Sequence, residues 1–197
     1  MTDGTQKEGH FSGKLYLKGI GDPILSADNY DKIANNLAAL GIRKIDGNLV
    51  LDDTSFDSIA LGPGWMIDDE DKYFEAQISA LTFSPNADFN AGTVIIDVSA
   101  TRTGNSTPGN NVVKVINSVV NGNASAVIVT RARGSNDIYV SGYSKGWRFD
   151  TKIVWRINAF FLIVSDTFQT MLRRYGIKVA DHTVVGGPHQ YRHCCTS

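Results

Sequence analysis

The chain is nearly free of cysteine. Only two of its 197 residues are cysteines, and they are the neighbours Cys194 and Cys195. Adjacent cysteines rarely form a disulfide with each other, and no third cysteine is available to pair with either. The sequence therefore excludes a fold that depends on disulfides within the chain. Because cytosolic and exported proteins can both lack disulfides, this does not assign a compartment.

Long apolar runs and an excess of one charge are also missing. The most apolar stretch, Ile157 to Val164, is far shorter than the roughly 20 residues of a membrane-spanning helix. The polar first ten residues contain no signal-peptide core, so we expect neither a transmembrane segment nor a signal peptide in this chain. A net charge of −1 gives no basic field that would attract nucleic acid.

The N-terminal part has the pattern of a strand, a helix and a second strand. Gly13 to Gly19 alternates like a strand, and a helix of about 14 residues should end near Leu40. Ile45 to Asp52 has the composition of a second strand, which suggests a parallel crossover. Two residues can cap the start of the helix, Ser26 or Asp28.

The C-terminal part repeats the order of helix and strand. Helical spacing extends from Ile157 to Tyr175, and a strand is predicted from Ile177 to Val185. The sequence Gly41-Ile42-Arg43 is echoed by Gly176-Ile177-Lys178, with each glycine at the predicted end of a helix. We therefore expect both ends of the chain to build one α/β layer.

The middle of the chain differs in composition. Asn, Ser and Gly supply 24 of the 67 residues from 84 to 150, which favours turns between short strands. Asn121-Gly122-Asn123 is typical of a hairpin turn. The predicted fold class is α/β (α+β), with a discontinuous α/β domain of residues 1–83 and 151–188. A small all-β domain of residues 84–150 is inserted into it, and residues 189–197 form a disordered tail.

Several segments occur together in an order that resembles a known family. They lie at Gly13 to Leu25, Leu40 to Asp53, Gly62 to Asp69 and Ile78 to Leu81. These segments resemble the class C low-molecular-mass penicillin-binding proteins, which are D-alanyl-D-alanine carboxypeptidases and endopeptidases. The resemblance covers about residues 10 to 188. It implies a serine-type enzyme of peptidoglycan metabolism in the cell envelope, acting without a cofactor.

The motifs that carry the family chemistry are missing from the sequence. No serine is followed by lysine three residues later, and no Lys-Thr-Gly occurs. Ser84-Pro85-Asn86 matches the family's Ser-x-Asn only in form. The resemblance therefore implies the non-catalytic insert region, with the beta-lactamase-like catalytic domain missing and no catalytic residue present. Because the tail after Pro188 departs from the family pattern, we expect a frameshifted or artificial terminus.

The resemblance also assigns a substrate-binding role to Trp65 and Asp68. The indole would supply an apolar wall, and the carboxylate would receive the free ammonium of the peptidoglycan stem peptide. The structural alternative is that Trp65 is buried in its glycine-rich turn while Asp68 caps the next helix.

Other signals favour structural interpretations. Gly19-Ile20-Gly21 is a turn, since a dinucleotide loop would need glycine in place of Ile24. The acidic cluster around Asp52 and the one around Asp68 lack the spacing of a calcium loop and are expected to be solvated. The tail residues that resemble metal ligands belong to the predicted disordered tail, and no metal site is expected there; they are His189, His193, Cys194 and Cys195.

Three hypotheses about function follow. The first is an insert-region fragment of a carboxypeptidase, inactive alone, whose uncovered face normally rests on the missing catalytic domain. Such an apolar face would allow the chain to form a homo-oligomer. The second is a stand-alone module that binds peptidoglycan or a partner protein. The third is an unrelated sugar- or nucleotide-binding α/β domain.

Overall fold

The computed structural model describes residues 4–66, 69, 76–86, 88, 90–98, 105–107, 111–124, 126–132, 134–145, 151–156, 161–179, 183–185 and 192–193. Within these residues lie two helices, α1 Ala27–Ala39 and α2 Phe161–Arg174. Neither is long and apolar enough to cross a membrane. The strands are β1 Thr5–Lys7, β2 His10–Ser12, β3 Leu15–Lys18, β4 Lys44–Ile45, β5 Leu49–Asp52, β6 Thr93–Val98, β7 Asn105–Thr107, β8 Lys114–Asn121, β9 Ala126–Arg131, β10 Asp137–Ser144, β11 Thr151–Arg156, β12 Lys178–Val179, β13 Thr183–Val185 and β14 Arg192–His193.

Three parallel segments form the layer on which both helices pack. β3, β5 and β13 are hydrogen-bonded in that order, and so are β2, β4 and β12. Because the same three segments recur in the same order, the two sheets are successive halves of one layer. Leu49, which is fully buried, pairs with Leu15 on one side and with Thr183 on the other. The N-terminal and C-terminal segments are thus neighbours in one sheet.

Both helices end in the same way. Gly41 and Gly176 have φ angles of +84° and +75°, a region that costs glycine little. The following amides, of Ile42 and Ile177, donate to carbonyls five residues back, which completes a Schellman motif in each case. At the start of α1, the Ser26 amide and hydroxyl both donate to Asn29 Oδ1. The predicted helix of about 14 residues is confirmed as α1.

The second helix packs one apolar stripe into the core. Val164, Phe168 and Leu172 are buried, and Phe161 is half-buried. The Phe168 ring meets that of Tyr30 from α1 at a centroid distance of 6.1 Å. Burial of these large apolar groups between two helices and a sheet is the main favourable contribution to the fold.

The middle of the chain contains two three-stranded sheets, with orders β8–β10–β9 and β11–β6–β7. The predicted hairpin at Asn121-Gly122-Asn123 is wrong, because β10 lies between β8 and β9. The amide of Gly122 instead donates to the Ser144 carbonyl and extends the β8–β10 pairing. The strand β11 had no counterpart in the sequence prediction, and it pairs with β6 across the predicted boundary at residue 150. The division into domains stays a prediction.

The mixed α/β fold class is confirmed. Within the region predicted as a disordered tail, Arg192–His193 form β14, which pairs antiparallel with β13. This pairing satisfies backbone groups that would otherwise be exposed at the edge of the sheet. The other candidate metal ligands of the tail, His189, Cys194 and Cys195, lie outside the described residues.

Candidate functional site

The loops that follow β3 and β5 meet at the carboxyl end of the parallel sheet, where ligands commonly bind in folds of this kind. The amide of Gly19 donates to the Asp52 carbonyl at 2.8 Å, and Ser55 Oγ donates to the Gly19 carbonyl at 2.7 Å. Residues 19–25, 53–66 and 76–84 together form what we call the carboxyl-edge loops.

The third of these loops crosses the other two at close range. The Gly21 amide donates to the Ala80 carbonyl at 2.7 Å, and the Ile78 amide donates to the Ala60 carbonyl at 2.9 Å. A side chain at Gly19 would collide with the backbone of Ala80. Gly19 therefore permits a close crossing of two backbones, while Gly21, with a φ of +81°, leaves room for the Phe56 ring.

Tyr30 of α1 connects these loops to the two packed helices, α1 and α2. Its hydroxyl donates to the Thr82 carbonyl at 2.5 Å, and its ring is stacked on Phe83 at a centroid distance of 6.1 Å. Thr82 Oγ1 in turn donates to the Asp22 carbonyl. Burial raises the pKa of Tyr30 far above its usual range, and the negative charge of Asp22 adds to the shift. The hydroxyl therefore stays protonated and remains a donor.

The outer surface of the carboxyl-edge loops combines exposed apolar side chains with polar ones such as Ser55 and Asp57. It holds seven large hydrophobic side chains that are exposed to solvent, of which Ile20 at 77% and Met66 at 68% are the most exposed. A group of exposed apolar side chains on neighbouring loops is a candidate interaction site on a globular protein. We call it the carboxyl-edge patch: Ile20, Ile24, Phe56, Ile59, Leu61, Met66 and Ile78.

Trp65 lies beside this patch in its glycine-rich turn. Its amide donates to the Gly62 carbonyl at 3.2 Å. The indole packs over the α-carbon of Gly62, where an added Cβ would lie 2.9 Å from Nε1. The side chain is half-buried, so the turn fixes one part of the ring and leaves another accessible. Asp68 lies outside the described residues, whereas its neighbour Asp69 is half-buried and donates its amide to the Met66 carbonyl.

The remaining candidates have structural surroundings. Ser84 is buried, and its hydroxyl donates to the Asn86 carbonyl at 2.5 Å, so it is not exposed as a catalytic hydroxyl would be. The expectation of a solvated acidic cluster is wrong for Asp52. That carboxylate is buried, and it accepts hydrogen bonds from the amide and hydroxyl of Thr54 because it closes the turn after β5. Among the described residues, no group of three or more potential ligands could hold a metal ion.

Sequence reasoning did not identify the members of the carboxyl-edge patch. A signal was nevertheless present, since residues 53–66 combine glycine and proline with Phe56, Ile59, Leu61 and Met66 and lack helical or strand periodicity. Apolar residues in a segment without periodicity have no regular element on which to be buried.

Comparisons with known proteins agree with this architecture. The sequence is 31% identical over 183 residues to a D-alanyl-D-alanine carboxypeptidase of Actinomadura sp. (strain R39), an alignment covering 88% of this chain and 34% of that protein. It is 31% identical over 86 residues to the D-alanyl-D-alanine carboxypeptidase DacB of Haemophilus influenzae, covering 44% of this chain and 18% of that protein. The chain thus spans about a third of the length of the first of these relatives.

A solved structure shares the fold. The crystal structure of penicillin binding protein 4 (dacB) from Haemophilus influenzae matches with a TM-score of 0.70 at 20% identity, covering 98% of this chain and 43% of that chain. At this identity the match establishes the fold alone. The family follows from the sequence, because residues 1–193 match the sequence profile of the D-Ala-D-Ala carboxypeptidase 3 (S13) family. The chain therefore belongs to the D-Ala-D-Ala carboxypeptidase 3 (S13) family.

Proposed function

We propose that this chain supplies the non-catalytic insert region of a serine-type D-Ala-D-Ala carboxypeptidase of peptidoglycan metabolism and is inactive alone. One observation carries the proposal: a sequence that matches the family over residues 1–193 contains neither Ser-x-x-Lys nor Lys-Thr-Gly. Acyl transfer by this chemistry needs a serine with a lysine one helical turn away, where the amine can accept the hydroxyl proton. No pair in this sequence meets that requirement.

Covalent labelling with a fluorescent penicillin tests the proposal directly. The chain alone is expected to incorporate no label, while a family member that carries both motifs is labelled stoichiometrically under the same conditions. The readout is in-gel fluorescence after denaturation, which detects only covalent adducts. Stoichiometric labelling of this chain would show that it assembles an active serine and would overturn the proposal.

The carboxyl-edge patch is proposed as the surface that rests on the catalytic domain. Its side chains belong to three loops, and Tyr30 and the close crossing at Gly19 hold those loops in place. An interface between domains needs such an apolar centre. Without the catalytic domain the patch is uncovered, so the chain should associate with a second copy at high concentration.

Sedimentation analysis of two matched variants checks this expectation. Met66 in the patch and Leu40 at the end of α1 are both 68% exposed. Met66→Lys is expected to shift the chain towards the monomer because it places a charge in the apolar contact, whereas Leu40→Lys should leave the distribution unchanged. A monomeric unmodified chain at high concentration, or an equal shift in both variants, would contradict the assignment of this patch.

Trp65 and Asp68 are proposed to recognise the stem peptide in the assembled enzyme, which acts in the cell envelope. The support for Trp65 is its position beside the patch, with the ring only half-buried. A carboxylate three residues later complements a free ammonium, and the tryptophan face tolerates both methylene groups and a cation. No cofactor is required for this role.

The alternative function, a stand-alone peptidoglycan- or partner-binding module, is favoured by a second exposed face.

A further inference from the structure

The second exposed face lies on the sheet formed by β8, β10 and β9. In the central strand β10, Ile138, Val140 and Ser144 are buried, while Tyr139, Ser141 and Tyr143 are exposed. This alternation directs one face of the strand into the core and the other face to solvent. The pairing registers extend the exposed set to both neighbours.

This face has three rows of three residues, all of them exposed except Ile116, which is half-buried. The rows are Ile116–Tyr139–Thr130, Ser118–Ser141–Ile128 and Val120–Tyr143–Ala126. None of the nine residues is charged, and the charged pair of the next row, Lys114 and Asp137, stands at one end. We call these nine residues the tyrosine face. A solvated sheet face normally carries polar residues, so the exposed aromatic and aliphatic side chains of this face indicate an interaction surface.

Four members of the tyrosine face are both large and exposed. They are Ile128 at 60%, Tyr143 at 58%, Val120 at 52% and Tyr139 at 46%. Together with the carboxyl-edge patch they account for nearly all the large hydrophobic side chains that are exposed among the described residues. The exposed apolar surface is therefore concentrated at two places and is not scattered.

We propose that the tyrosine face binds the glycan strand of peptidoglycan, a chain of β-linked N-acetylated sugars. Such a chain presents flat C–H surfaces that suit the exposed rings of Tyr139 and Tyr143, and hydroxyl and amide groups that suit the hydroxyls of Ser141 and Thr130. The lack of charge on the three rows matches an uncharged ligand. It also argues against nucleic acid, whose binding depends on basic side chains that contact phosphates.

The spacing of the two rings favours an oligosaccharide. Tyr139 and Tyr143 are four residues apart on one strand, so their α-carbons are about 13 Å apart. A single sugar ring does not span that distance, whereas successive units of one chain do. Ser118 Oγ donates to the Val140 carbonyl at 3.0 Å, so this hydroxyl has its oxygen available only as an acceptor. The inference rests on the proposed function, which places the chain at peptidoglycan.

Titration with β-1,4-linked N-acetylglucosamine oligomers tests the inference. Calorimetry with the tetramer should show saturable binding to the full chain, and the monomer should bind at least about tenfold more weakly because it reaches only one ring. The double variant Tyr139→Ala/Tyr143→Ala is expected to lose about tenfold or more in affinity for the tetramer. The double variant Tyr139→Phe/Tyr143→Phe retains both rings and should stay within about threefold of the unmodified chain.

Further arms separate this inference from its alternatives. Leu40→Ala removes an exposed apolar side chain elsewhere and should leave tetramer binding unchanged, and unaltered circular dichroism should show that the alanine variants are folded. No saturable binding of the tetramer, or equal binding by the double alanine variant, would overturn the inference. Loss of self-association in the double alanine variant would also overturn it, because the face would then be a contact between copies. None of these results depends on penicillin labelling, so the proposed function can fail or stand separately.

Discussion

Tyr30→Ala is expected to lower the free energy of unfolding by about 3–5 kcal/mol, the range for truncating a large buried aromatic side chain. Tyr30 is completely buried between Phe83 and Phe168, so its removal leaves a cavity that its neighbours fill only in part. It also removes the hydrogen bond to the Thr82 carbonyl. Tyr30→Ala should therefore weaken both the attachment of the carboxyl-edge loops and the packing of α1 against α2.

Chemical denaturation checks this prediction. Two further variants are compared: one isolates the hydrogen bond of Tyr30, and the other is a control at an exposed tyrosine. Tyr30→Phe keeps the ring and removes only the donor to Thr82, so it should cost about 1–3 kcal/mol. Tyr143→Ala truncates an exposed tyrosine and should change the stability by no more than about 0.5 kcal/mol. Hydrogen exchange of the Gly21 amide, which bonds to Ala80, should accelerate in Tyr30→Ala. Equal stability of Tyr30→Ala and the unmodified chain would show that this anchor is wrongly identified.

Asp68→Ala should lower kcat/KM by about 10- to 150-fold for stem peptides with a free side-chain amine, in a full-length enzyme that carries this insert. The loss corresponds to about 1.5–3 kcal/mol, the contribution of a hydrogen bond to a charged group. The reaction with beta-lactams should be nearly unchanged, since these compounds lack the amine. Steady-state kinetics on peptides with and without that amine measure the difference.

Asp69→Ala is the matched control for this experiment. It removes the carboxylate of the next residue, whose backbone amide donates to the Met66 carbonyl, and it should leave the preference for the free amine intact. If Asp68→Ala slowed the reaction equally on peptides without the amine, Asp68 would support the structure and would not recognise the substrate. If Asp69→Ala removed the preference and Asp68→Ala did not, Asp69 would be the residue that recognises the amine.

Local patterns were sufficient to predict several elements. The helix α1 begins after Ser26 and ends before Gly41 because a capping residue and a residue that tolerates positive φ stand at its two ends. The echo between Gly41 and Gly176 identified two helix ends that share one motif, and it pointed to strands that prove to be neighbours in the sheet. The absent catalytic motifs were also evident from the sequence alone.

Other features depended on contacts between distant segments. The hairpin expected at Gly122 does not form, because β8 and β9 both pair with β10, which lies between them. The burial of Asp52 depends on the turn that its carboxylate closes. No local pattern could distinguish either outcome, since strand order and burial are decided by which distant surfaces pack together.

The sequence by itself determined the family resemblance, the glycine-terminated ends of both helices and the absence of the Ser-x-x-Lys and Lys-Thr-Gly motifs, because each depends on residue types at short, fixed spacings. Only the tertiary structure decided which apolar residues remain exposed. Ile20, Met66 and Tyr143 have the same apolar character as core residues, and their exposure becomes evident only when loops and strands far apart in sequence are placed together. Burial is a property of the packed chain, and both proposed binding surfaces follow from it.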